Sequence, residues 1–70
     1  MEKIPQISMA AARVNANMTQ QEAAKKLGIS KATLQNYEAG KTVPDWDMVH
    51  KIGSVYQFPH EYIFFGPKYV

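Results

Sequence analysis

Seventy residues make one domain with no room for a deep catalytic cleft, since a chain this short buries only about 60% of the surface that it exposes when unfolded. Hydrophobic residues at 46% suffice for one compact core, and charged residues at 20% are too few for a disordered tail. The lack of cysteine excludes disulfides and thiolate metal sites, while the net charge of +2 suits a polyanionic partner without specifying one.

The opening MEKIPQIS is neither basic nor apolar enough for a signal peptide, and no run approaches the roughly 20 apolar residues of a membrane helix. A cytoplasmic protein that makes no use of a membrane is expected. The first helix is predicted over residues 8–16, capped by Ser8, with its alanines and Val14 as the apolar side and Asn17 as a left-handed stop. Thr19 and Glu22 have the spacing of a capping box, so a second helix starts there. It carries Ala23, Ala24 and Leu27 inward, presents Gln21, Lys25 and Lys26 outward, and halts at Gly28.

Ile29 is a single buried anchor in the turn, and Ser30 caps a third helix, KATLQNYE. Gly40 ends that helix, and Pro44 disfavours helical geometry at Val43. Asp45 caps a fourth helix in which Met48, Val49, Ile52, Val55 and Tyr56 recur at helical spacing, with Trp46 packed at its start. Pro59 suits the first turn of a short fifth helix through Ile63, terminated by Gly66 and Pro67. The expectation is an all-α, compact five-helix domain over residues 1–70, without strands.

Helices two and three are joined so tightly that they must cross steeply, which demands a small side chain at the contact. Ala24 supplies it, Gly28 and Ile29 make the corner, and Leu34 and Tyr37 turn back into the core. Steps of 100° per residue put Ala32 and Asn36 at about 160° and 200° from Leu34, directly away from the core, with Gln35 near 100° and Thr33 near 260°. Glu38 falls only about 40° from Leu34, a poor place for an unpaired carboxylate.

The stretch TQQEAAKKLGISKATLQNYEAGKTVP has Gln after the cap, Ala at the crossing, Gly in the turn and Glu-x-Gly-Lys after the third helix. It resembles the helix-turn-helix of Cro and CI-type repressors, the xenobiotic response element family, and the similarity runs from about Ser8 to Gly66. The resemblance implies a phage-repressor-like DNA-binding domain with its helix-turn-helix at residues 19–39. It also implies a repressor-like transcription regulator of the phage or prophage kind, associated with the nucleoid. It pairs Arg13 on helix one with Glu38, and it assigns phosphate contacts to Gln20, Lys41 and Thr42. Pro59, Gly53 and Ala39 depart from the family pattern, in which a capping hydroxyl, a helix-favouring alanine and a polar residue are usual.

On such a frame Lys31, Ala32 and Thr33 occupy the first turn of the reading helix, with Gln35 and Asn36 one turn behind. Gln35 or Asn36 suits adenine, Lys31 suits guanine acceptors, and Ala32 or the Thr33 methyl suits the thymine methyl. The partner is then double-stranded DNA, as an inverted-repeat operator bound by a homodimer. The tail, residues 62–70, is more apolar than one small core requires, and Phe65, Tyr69 and Val70 are the dimer candidates. His50 and His60 lack the spacing of a metal pair, and Ser30 and Ser54 lack partners for nucleophilic catalysis, so no enzyme activity, cofactor, metal or small-molecule substrate is expected. The rival reading is a protein-interaction module on the same fold, of the antitoxin or bridging-coactivator kind.

Overall fold

The computed structural model describes residues 6–65. A two-residue strand, β1 (Ile7–Ser8), leads into α1 (Met9–Asn15), followed by α2 (Gln20–Leu27), α3 (Lys31–Ala39) and α4 (Trp46–Tyr56). A single 3-10 turn, His60–Tyr62, then delivers a second short strand, β2 (Ile63–Phe64).

Each helix begins where a short polar side chain can satisfy an amide that has no partner within the helix. Ser8, Thr19, Ser30 and Asp45 accept from the backbone N–H of Ala11, Glu22, Thr33 and Met48. Thr19 and Glu22 complete the reciprocal box, with the Thr19 N–H donating to Glu22 Oε1 at 2.9 Å. Helices α2 and α3 stop at Gly28 and Gly40, whose φ of 74° and 78° is the left-handed conformation that a residue without Cβ adopts freely.

The core is built from Met9, Ala12, Ala23, Ala24, Leu27, Leu34, Ile52, Tyr56 and Ile63, so all four helices and β2 contribute. Leu27, Leu34 and Ile52 are fully buried, and each contributes up to about 1.5–3 kcal/mol of apolar transfer. Ala24 is buried, and the Ile29 N–H closes the corner on the Ala24 carbonyl at 3.0 Å.

The expected fifth helix is absent among the described residues. After Pro59 the chain makes only the 3-10 turn, with the Tyr62 N–H on the Pro59 carbonyl, because the backbone of Ile63 and Phe64 runs extended alongside β1. The pairing is parallel, Ile7 with Ile63 and Ser8 with Phe64, and strand alternation then buries Ile63 while leaving Phe64 exposed. One further expectation fails on the surface, where Val14 lies on the outer side of α1 and is exposed. Trp46 sits at the start of α4 in edge-on contact with His50 and His60, and is 67% exposed.

The helix-weakening residue at position 53 also acquires a reason. A Cβ on Gly53 would sit 3.0 Å from His60 Cβ, and 3.2 Å from both the His60 nitrogen and the Phe58 carbonyl oxygen, so the glycine lets the 3-10 turn close on α4. Alanine would gain about 1 kcal/mol of helix propensity but would push backbone apart, an overpacking cost of about 1–3 kcal/mol. Gly53→Ala is therefore expected to lower stability by about 1 kcal/mol in a denaturant titration, whereas a stabilised variant would show that the 58–60 segment yields without cost.

Candidate nucleic-acid interface

The first turn of α3 and the residues one turn behind it are open to solvent. Lys31, Ala32, Gln35 and Asn36 are all exposed, and none of them belongs to the core. Thr33 differs: it is half-buried, its N–H donates to Ser30 Oγ at 3.1 Å, and its hydroxyl lies 2.9 Å from the same oxygen. The Thr33 hydroxyl is thus engaged at the cap.

Helix α3 is held from behind by Glu38. The Arg13 Nε donates to Glu38 Oε2 at 2.8 Å and its second guanidinium nitrogen to Oε1 at 3.4 Å, so the two charges meet through both carboxylate oxygens. The remaining nitrogen donates to the Met18 carbonyl at 2.9 Å, tying α1 to the segment that enters α2. Their side chains are 14% and 8% exposed, enough withdrawal from water that neither charge could be left alone cheaply.

Gln20, the first residue of α2, also reaches this carboxylate, with Nε2 donating to Glu38 Oε1 at 2.9 Å. Its own Oε1 accepts from Gln35 Nε2 at 3.2 Å. A continuous chain therefore runs from Arg13 through Glu38 and Gln20 to Gln35. Residue order hides this chain, since its members are separated by 25, 18 and 15 positions on three different helices. The sequence offered the Arg13–Glu38 end of it, whereas for the Gln20–Gln35 end the only hint was a glutamine immediately after the Thr19 cap.

The loop after α3 is fastened to the helix end. The N–H groups of Gly40 and Lys41 donate to the carbonyls of Tyr37 and Asn36 at 3.1 and 3.0 Å, and that of Thr42 to Asn36 at 3.5 Å. Lys41 and Thr42 keep exposed side chains, and buried Pro44 anchors the far end of the loop. At the start of α2 the Thr19 amide and hydroxyl hold the Glu22 carboxyl below the usual carboxylate range, so the capping box is complete at neutral pH.

Other groups lie apart from this surface. The Tyr56 hydroxyl is buried without a hydrogen-bond partner among the described residues, and burial pushes it up to about 12, with the nearby Glu38 adding to the shift. That value lies above the ordinary 10.0, so this group's contribution to folding is complete below pH 10 and is lost as pH rises toward about 12. His50 and His60 stack with ring centroids 4.4 Å apart, yet among the described residues no group of three or more side chains could hold a metal ion. Among the same residues no helix is long and apolar enough to cross a membrane. Phe65 is half-buried against the core, while Tyr69 and Val70 lie outside the described residues.

Residues 9–63 match the Helix-turn-helix family, a span from the start of α1 to the first residue of β2. The HTH-type transcriptional regulator ImmR of Bacillus subtilis (strain 168) is 40% identical over 52 residues, which make up 74% of this chain and 41% of that relative. No solved structure matches the chain.

Glu38 is the member whose removal is expected to cost most, because truncation leaves the Arg13 guanidinium with one partner and little water. Glu38→Ala should destabilise the fold by about 3 kcal/mol, the lower end of the range for breaking a buried pair, given the partial exposure of both groups. A thermal midpoint equal to that of the unsubstituted protein would contradict the assignment of this pair as a structural clamp.

Proposed function

Because the chain belongs to the xenobiotic response element type of helix-turn-helix family, we propose that it is a sequence-specific, repressor-like transcription regulator that reads the major groove of double-stranded DNA with α3. The observation that carries this reading is the 3.2 Å contact between Gln20 and Gln35, which makes the start of α2 and the outer side of α3 one continuous polar surface. A helix start that can rest on the phosphates beside a helix that can enter the groove is what such docking requires.

On that surface Lys31 reaches guanine acceptors, Gln35 or Asn36 pairs with adenine, and Ala32 or the Thr33 methyl touches a thymine methyl. Lys41, Thr42 and the spare N–H of Gln20 hold phosphates, with the first amides of α2 assisting. These contacts position the helix, and the base contacts supply the discrimination.

A homodimer on an inverted repeat, with reading helices about 34 Å apart, completes the proposal. Its support is the apolar surface at the end of the described chain, where Phe64 is exposed and Phe65 shares a groove with Val43, Pro44 and Trp46. The exposed Trp46 also favours a second reading, in which this fold serves as a protein-interaction module. Salt dependence separates the two, since phosphate contacts make DNA affinity fall steeply with salt.

Selection of bound sequences from random duplex DNA at fixed salt tests the proposal, run in parallel with Gln35→Ala and Asn36→Ala. The expected outcome is an inverted repeat whose preferred bases change at defined positions in each variant. No enrichment above the starting pool would transfer the assignment to the protein-interaction role.

A further inference from the structure

We infer that Gln20 is a positioning residue for base reading, one that fixes the donor and acceptor ends of the Gln35 side chain from the Arg13–Glu38 ion pair. This deepens the DNA-reading assignment and rests on it. Glu38 has only acceptors to offer, and Arg13 already holds both of its oxygens. Gln20 can therefore meet Glu38 only through its NH2 end, as it does at 2.9 Å.

That choice propagates. With its nitrogen on Glu38, Gln20 turns its oxygen to α3, and an oxygen accepts only from a donor. Gln35 must then present its own NH2 end, as it does at 3.2 Å. Two amides that could otherwise each sit either way round are set by one buried charge, because a flip at either position would place like ends together.

The consequence lies in what Gln35 has left. An NH2 group carries two hydrogens, and one is bonded to Gln20, so a single N–H remains beside an unused Oε1. Donor beside acceptor in a fixed order matches the N7 acceptor and N6 donor of adenine. Guanine presents two acceptors there, N7 and O6, and the second would face the Gln35 oxygen. An amide free to turn over loses that fixed order and must be ordered anew at each binding event.

Gln20→Met keeps the length of the side chain and removes both polar ends. The test measures affinity, at one salt concentration, for two duplexes differing only at the base pair whose preference is lost in Gln35→Ala. The ratio of the two affinities is expected to fall about tenfold in Gln20→Met, and to show no further fall when Gln20→Met is added to Gln35→Ala. An equal loss on both duplexes, with the ratio kept, would make Gln20 a phosphate contact alone and overturn the inference.

A second measurement judges the chain in the free protein, through the side-chain amide signals of Gln35 by NMR. Gln20→Met is expected to speed hydrogen exchange at the Gln35 amide while leaving that of Asn36 unchanged, in a spectrum whose backbone dispersion shows an intact fold. Unchanged Gln35 signals would overturn the inference whether or not DNA is bound. A wild-type protein that prefers neither duplex, with Gln35 signals that do respond, would instead sink the DNA-reading assignment.

Discussion

A carboxylate that is 8% exposed near the end of a helix has to be matched from outside that helix, and the way Glu38 is matched sets the arrangement of the other elements. Arg13 approaches from α1 and Gln20 from the first turn of α2, so one side chain ties three helices together. The guanidinium also takes the Met18 carbonyl, which fixes the segment between α1 and α2. Leu34 and Tyr37 supply the apolar contacts of α3 with the core, and such contacts are not directional. The polar clamp gives the helix one rotational setting, and with it one set of outward residues.

This division of labour follows from the size of the chain. A core of nine residues, with Tyr56 the largest of its fully buried side chains, leaves little apolar area to hold short helices, and α1, α2 and α3 run for only seven, eight and nine residues. Helices of that length are not stable alone in water, so caps and tertiary contacts must hold them. Every one of the four helices has its side-chain cap, and the 3-10 turn packs where Gly53 offers no Cβ.

Local chemistry was legible in the sequence because it acts over three or four residues. Ser8, Thr19, Ser30 and Asp45 cap the amide three positions on, and Asn17, Gly28 and Gly40 take positive φ where the helices stop. The inward set Ala23, Ala24, Leu27 and Leu34 followed from helical periodicity. What stayed hidden depends on distant partners. Strand pairing with Ile7, some 56 positions away, replaced the fifth helix and turned Phe64 outward. Trp46 meets His60 across 14 positions of chain, a contact that local pattern does not announce. Gln20 was read as a phosphate ligand, and no pattern in the chain announces that its amide already bridges Glu38 and Gln35.

In the proposed function, the surface formed by the start of α2, the outer side of α3 and the loop after it faces DNA. Titrating isotope-labelled protein with a short duplex carrying its selected sequence, and following every backbone amide by NMR at low and at high salt, tests this most directly. The expected result is a set of shifts concentrated at residues 19–21, 31–36 and 40–42 that weaken as salt rises. Shifts confined to the Trp46 and Phe64 side, or none at low salt, would contradict it.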